Sequence, residues 1–118
     1  MRKFMFLFHG GGIVVQPPPP PAEIGAHLAK WTEWVGGLVK AGHAEMGPGP
    51  LENGGKVVRG SAKAVTDGPY AEAKDLVSGI LIVSAASIAA AVEIARGCPI
   101  YEYDGSVEVR PIQDIQPR

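Results

Sequence analysis

The chain has 118 residues, 46% of them hydrophobic and 19% charged, and its formal net charge at pH 7 is -1. This length suits one domain, residues 1–118, and the composition is that of a folded globular protein rather than a disordered one. The near-zero net charge gives no general attraction for phosphate backbones or anionic lipid, so we expect no nucleic acid and no membrane among its partners.

The first predicted element is a strand at residues 3–8, KFMFLF, which ends at the Gly-rich corner HGGG. Its apolar run, Phe4 to Phe8, is shorter than the core of a secretory signal, which needs about 7–15 residues. No run approaches the roughly 20 apolar residues of a membrane-spanning helix. The single cysteine, Cys98, has no partner for an intramolecular disulfide, so we expect a cytoplasmic protein.

A proline-rich loop at residues 13–21 follows, with consecutive prolines from Pro17 to Pro21. Successive prolines favour the extended polyproline II conformation and are excluded from helix interiors and central strands. We interpret the loop as a stiff spacer into the next helix, with a ligand for an SH3-type domain as the alternative.

A helix is predicted from Ala22 to about Ala41, with Pro21 in its opening turn and Gly42 as its stop. Gly36 and Gly37 weaken this helix and suggest the close approach of another backbone. Apolar residues recur at helical spacing at Ile24, Leu28, Trp31, Val35 and Leu38.

The second half of the chain predicts a short strand within residues 43–55, a hairpin, a strand, a helix and a closing strand. The segments KVVRG and SAKAVT form the hairpin, and LVSGILIVSA is expected as the central strand because it is the longest apolar β-type run. The second helix begins at Ser84 or Ser87, ends at Gly97, and buries Ile88, Ala91, Val92 and Ala95. In the closing strand, GSVEVRPI, Val107 and Val109 face one way.

This order of elements is the split β-α-β arrangement of a ferredoxin-like α+β sheet with two helices on one face. The other face of the sheet is then left without a covering layer. Because an open apolar face in a small chain normally finds a partner, we expect a homodimer in which two sheets pack face to face.

The segment VTDGPYAEAKD, residues 65–75, combines a turn with a run of polar side chains. Asp67 suits the first position of the turn, where its carboxylate accepts backbone N–H groups. If the following residues are extended, Tyr70, Glu72 and Lys74 share one side. They then line a polar pocket that binds substrate, or they form the solvated start of a strand, and the sequence does not choose between these.

Three aromatic side chains on the first predicted helix offer a second candidate site. His27 and Trp34 lie near one margin of the apolar stripe, beside Trp31, and together make an aromatic-walled cleft. Histidine is the side chain best suited to proton transfer near neutral pH. The alternative is that the tryptophans belong to the core and His27 is a half-buried edge residue. No histidines have metal-ligand spacing, so we expect neither a metal nor a cofactor.

The motifs themselves resemble a known family. VTDGPYAEAKD, the hydrophobic strand after it, GCPI and GSVEVRPI are similar to the YCII-related proteins, specifically the branch named for its Asp-Gly-Pro-Phe motif. Tyr70 stands here in place of the Phe. The first strand, KWTEWVGGLVKAG and VVRG are also similar, so the resemblance covers nearly the whole chain.

The resemblance implies a dimeric α/β barrel and a histidine near the start of the first helix that pairs with an aspartate for acid/base chemistry. On this sequence those positions are His27, in AHLA, and Asp67 as the candidate partner. Related proteins of this fold act on small molecules, by dechlorination of hydroxylated aromatics, lactone isomerisation or cofactor-free oxygenation.

Two functions follow as hypotheses. In the first, a cleft between the first helix and the sheet binds a small molecule; His27 moves a proton, Asp67 orients it, and Trp31 or Trp34 walls the site. Polar substituents of that molecule would contact Tyr70, Glu72 and Lys74. In the second, the protein is a non-catalytic accessory module that acts through protein contacts, because members of the branch resemble modules associated with sigma factors.

Overall fold

The computed structural model describes residues 1–12, 17–68 and 75–114. Among these residues no helix has both the length and the apolar character needed to cross a membrane. The elements, in chain order, are β1 (Arg2–His9), α1 (Pro21–Lys40), β2 (Gly55–Arg59), β3 (Ala64–Gly68), β4 (Val77–Ala85), α2 (Ile88–Arg96), a 3-10 helix (Pro99–Tyr103) and β5 (Ser106–Pro111).

The main sheet has the strand order β4-β1-β5, and both pairings are antiparallel. The strand at its centre is β1, whose Phe6 lies opposite Leu81 on one side and Val109 on the other. The expectation that β4 is central is therefore wrong for this sheet. On its far side β4 pairs with no named strand among the described residues: the Gly- and Pro-rich passage there forms an isolated bridge between Ala44 and Val83 and single backbone hydrogen bonds, such as that from the Leu51 N–H to the Ser78 oxygen.

The hydrophobic core lies between the sheet and the helices. Alternation along β1 places its three phenylalanines on this inner face, where Phe4 and Phe6 are completely buried. Ala91 and Ala95 of α2 and Ile100 of the 3-10 helix belong to the same core, and part of α1 packs against it. Both helices thus cover one face of the sheet, which confirms the α+β ferredoxin-like fold.

The opposite face of the sheet has no covering layer among the described residues. Met5 and Leu7 of β1 alternate with the buried phenylalanines and lie opposite Ile82 and Ile80 of β4. Ile82 is 43% exposed. The part of the chain that the structure describes therefore has the open apolar face expected from the sequence.

Helix α1 starts with Pro21 at its first turn and ends just before Gly42, which has a φ of +79°. Its apolar stripe covers the core only in part, because Leu28 remains 54% exposed. Among the described residues, no backbone approaches Gly36 or Gly37 as expected, since a Cβ added at either position would meet nothing there within 4 Å.

Helix α2 is capped by Ser87, whose Oγ accepts the backbone N–H of Ala90 at 3.2 Å. The alternative start at Ser84 is wrong, because that residue lies inside β4. The alanines of the predicted stripe are buried, but Ile88 and Val92 are 47% and 37% exposed. The small alanines form the contact with the sheet, so the larger side chains are left at the margin of the helix.

The β2–β3 hairpin stands apart from the main sheet. Val58 lies opposite Val65, and these two side chains are 64% and 63% exposed. The hairpin makes no extended packing contact with any other described helix or strand. An isolated two-stranded hairpin is only marginally stable in water. This hairpin therefore has little stability of its own, and a bound partner would stabilise it.

Candidate functional site

A cavity of about 590 Å³ lies between α1 and the end of the sheet. This volume lies within the range of small-molecule sites. Its described lining contains no Asp, Glu, Lys or Arg, and its polar side chains are few. The aromatic and aliphatic part of the lining includes Phe8, Leu28, Trp31, Val35, Met46 and Ile100, and the Gly10–Gly12 corner completes one wall.

His27 is the ionisable side chain in this lining, and it is only 3% exposed. The Nε1–H of Trp31 donates to His27 Nε2 at 3.1 Å. Because an indole nitrogen is only a donor, Nε2 must be the unprotonated nitrogen in this arrangement. Nδ1 therefore carries the proton and donates it to Glu102 Oε2 at 3.2 Å, which assigns the tautomer.

Glu102 reaches His27 from the 3-10 helix that follows α2. Its second oxygen, Oε1, accepts a hydrogen bond from Lys30 Nζ at 2.7 Å. The bond from Lys30, followed by the bond from His27, lowers the pKa of Glu102, and the same contact raises the pKa of Lys30. The carboxylate thus stays ionised beside Nδ1 of His27.

Aromatic rings hold His27 in position. The ring of Tyr103 meets the imidazole edge-to-face, with centroids 4.7 Å apart, and its hydroxyl donates to Glu23 at 3.4 Å. Burial is the main cause that raises the pKa of Tyr103. On the other side, Trp31 packs perpendicular to Phe8 at 5.1 Å. These contacts restrict the orientation of the imidazole, as a group that moves a proton requires.

The structure brings together some of the residues predicted from the sequence. His27 and Trp31 share the cavity wall and a hydrogen bond. Trp34 packs against Phe6, Phe8 and Trp31, but it lines a separate groove of about 610 Å³ together with Cys98 and Glu102.

Asp67 lies away from this constellation, on β3 of the hairpin. Its carboxylate is 87% exposed and pairs with Lys56 of β2. The carboxylate that contacts His27 is that of Glu102 instead. Tyr70, Glu72 and Lys74, together with residues 13–16 of the proline-rich loop, lie outside the described residues.

Glu102 was not identified from the sequence. It is separated from His27 by 75 positions, so no local spacing links the two residues. The one local signal is Pro99. Because proline favours the first turn of a helix, it indicates the short helix that carries Glu102.

The single cysteine lies outside the lining of this cavity. Cys98 is buried, and loss of solvation raises its pKa to about 12, so the thiol stays protonated and is a poor nucleophile. Across the described ranges, no group of His, Cys, Asp and Glu side chains is arranged to hold a metal ion.

His9 is a second histidine with a defined environment, at the end of β1. Its Nδ1 lies 2.9 Å from the Asp75 carbonyl oxygen, and its Nε2 lies 2.9 Å from Glu108 Oε1. Both partners are hydrogen-bond acceptors, so the geometry suits the doubly protonated imidazolium, which donates from both nitrogens. The hydrogen bond to the Asp75 carbonyl, with a smaller contribution from Glu108, raises the pKa of His9 above 6.5.

We therefore expect the contribution of His9 to stability to depend on pH. A raised folded-state pKa gives stability that is fully present below the unfolded value of about 6.5 and is lost as the pH rises through the folded value. The urea midpoint of the native protein should exceed that of His9→Gln more at pH 6 than at pH 9. An equal difference at the two pH values would show that the imidazolium does not contribute.

The fold and the site together define a small α+β protein with a histidine–carboxylate pair beside an apolar cavity. A family model of the YCII-related domain matches residues 14–116. The chain belongs to the YCII-related family. No curated protein was found to match it.

Proposed function

We propose that this protein binds a small molecule in the cavity between α1 and the sheet and performs acid/base chemistry on it. The observation that carries this proposal is the pairing of His27 with the ionised Glu102 at the wall of an apolar cavity. A histidine with one nitrogen bonded to a carboxylate and the other unprotonated is the usual arrangement of a general base.

In this proposal each residue has a separate role. His27 Nε2 accepts the proton of the bound molecule, and Glu102 holds the Nδ1–H tautomer and stabilises the imidazolium. Lys30 keeps Glu102 ionised through the 2.7 Å bond, so the proton stays on the histidine. Trp31 walls the cavity. Glu102 thus takes the part that the sequence suggested for Asp67, while Tyr70, Glu72 and Lys74 stay candidates for contacts to polar substituents.

The proposal also covers the branch of the family, the cellular compartment and the oligomeric state. The sequence Asp67-Gly68-Pro69 followed by Tyr70 supports membership of the branch named for the Asp-Gly-Pro-Phe motif, and the single buried cysteine suits a reducing cytoplasm. The uncovered face around Met5, Leu7, Ile80 and Ile82 supports a homodimer through the sheet. Equilibrium sedimentation tests this, and a monomer at micromolar concentration would contradict it.

The β2–β3 hairpin favours a second function. Its paired Val58 and Val65 are exposed, and the hairpin lacks extended support from the described core. An exposed strand pair can bind another chain along its edge. This observation supports a non-catalytic accessory module that acts on a partner protein, such as a sigma factor.

Ligand-dependent thermal unfolding separates these two functions. The panel consists of phenols, hydroquinones, lactones and small organic acids, tested on the wild type, His27→Ala and the control His43→Ala. His43 is suited to this control because its ring bonds the Ser84 carbonyl oxygen at 3.0 Å and does not line the cavity. A ligand at about 100 times its Kd adds roughly 2.7 kcal/mol to the free energy of unfolding.

We expect stabilisation by one chemical class in the wild type and in His43→Ala, and none in His27→Ala. His27→Gln replaces the alanine variant if the latter does not fold. Stabilisation that persists without His27 would place the ligand elsewhere. No stabilisation by any compound would favour the accessory module.

A further inference from the structure

The hydrogen bond between Trp31 and His27 occupies the atom that the proposed function needs. In this structure the only lone pair of the neutral imidazole, on Nε2, accepts the indole N–H at 3.1 Å. Both side chains line the cavity. A ligand that uses Nε2 must therefore replace the Trp31 donor with a donor of its own, because an acceptor placed there would leave both lone pairs unpaired.

The other polar side chains of the described lining also use their protons for hydrogen bonds within the protein. The Ser78 hydroxyl proton is directed to backbone oxygens, with Oγ 2.8 Å from the Gly10 oxygen and 3.2 Å from the Phe8 oxygen. The Thr32 hydroxyl donates to the Leu28 carbonyl oxygen at 3.2 Å. The side-chain protons of the described lining are thus already engaged, so its polar side chains offer a ligand lone pairs.

The charge of the cavity lining and the size of the cavity restrict the class of ligand further. The described lining has no Lys or Arg to pair with an anion and no Asp or Glu to pair with a cation. Transfer of an unpaired charge into such a site is strongly unfavourable. The volume of about 590 Å³ has room for a compound of one or two rings.

We propose that the ligand is a neutral compound with an apolar ring body and an O–H or N–H donor, and that this donor displaces the Trp31 indole from His27 Nε2. Trp31 then acts as an internal competitor that occupies His27 until such a ligand arrives. This inference rests on the proposed function, and it adds the chemical class of the ligand and a role for Trp31.

Matched pairs of compounds test the donor requirement. We would titrate 4-methylphenol against 4-methylanisole, and 2-naphthol against 2-methoxynaphthalene, into the wild type at pH 7 by calorimetry. Each pair differs by methylation of the one hydroxyl. The hydroxyl compounds should bind at least about tenfold more tightly than their methyl ethers, since a site that pairs a hydroxyl rejects the analogue without it. 4-Methylbenzoate, which is an anion at this pH, should bind more weakly than 4-methylphenol.

Variants of the two tryptophans test the competition. In Trp31→Phe the indole donor is gone, so the affinity for the hydroxyl compounds should rise severalfold while that for the ethers changes less. Trp34→Phe is the control, because Trp34 lies outside this cavity lining and should preserve the wild-type preference. In the wild type, the ¹⁵N resonance of His27 Nε2 should shift on addition of 4-methylphenol and not of 4-methylanisole.

The outcomes distinguish the two proposals. Equal binding of hydroxyl compounds and ethers, lost in His27→Ala, would overturn the donor requirement and leave the proposed function in place. An equal loss of affinity for the hydroxyl compound and its ether in Trp31→Phe would show that Trp31 contributes only packing contacts to the ligand. Absence of binding by every compound, to the wild type and to Trp31→Phe alike, would overturn both proposals.

Discussion

Replacement of Phe6 by alanine is expected to lower the free energy of unfolding by about 3–5 kcal/mol. Phe6 is completely buried at the middle of the central strand, and its ring stacks on Trp34 with centroids 6.4 Å apart. The loss combines the transfer of the ring to water with the cavity left between the sheet and α1. Because small domains are stable by only about 5–15 kcal/mol, the variant should be near the limit of folding.

Urea denaturation followed by circular dichroism measures this effect, with the midpoint and the slope reported separately. The control is Val65→Ala on the exposed face of the hairpin, where Val65 is 63% exposed and the loss should stay within about 0.5 kcal/mol. A decrease of less than about 1 kcal/mol in the free energy of unfolding of the Phe6 variant would mean that neighbouring core residues repack into the space left by the ring.

Replacement of Gly105 by alanine is expected to destabilise the protein by about 1–3 kcal/mol and to weaken ligand binding. A Cβ at position 105 would clash with the Ile100 side chain and would lie 2.9 Å from the Gly11 backbone. The side chain of Ile100 can adjust, but the backbone of Gly11 must move. Gly11 and Ile100 both line the cavity, so the strain reaches the proposed binding site.

The matched control is Gly36→Ala in α1, where the added Cβ meets nothing within 4 Å. Alanine there should stabilise the protein by about 0.5–1 kcal/mol, because glycine loses more conformational freedom in a helix. Thermal unfolding of the two variants, with and without 2-naphthol, compares both effects. An unchanged melting temperature and affinity in Gly105→Ala would contradict the close packing against Gly11.

The fold was predictable because its signals are local. Alternation at Val107 and Val109, proline and glycine at the ends of α1, and Ser87 before α2 each depend on residues close in sequence. The predictions that were wrong concern relations between elements. Which strand is central, and what approaches Gly36, depend on pairing across the whole chain.

The residues of the candidate site likewise fall into those that local sequence places and those that depend on contacts between elements. His27 and Trp31 are one helical turn apart, so the sequence alone could place them side by side. Glu102 comes from another element, and its approach requires the turn at Pro99–Tyr103 to dock on α1. Asp67 was the natural candidate from sequence because aspartate has a strong local signature in turns, but the prediction of a turn is wrong here, since Asp67 lies inside β3 opposite Lys56 of β2.

The central position of β1 also determines how this protein must fold. Both strands that flank β1 come from the distant second half of the sequence, so its hydrogen bonds close very large loops of chain. No early fragment can bury the phenylalanines of β1 by pairing with its immediate neighbours in sequence. Folding should therefore be slow for a chain of this size and all-or-none, and a newly made β1 would remain exposed to aggregation until β4 and β5 are available.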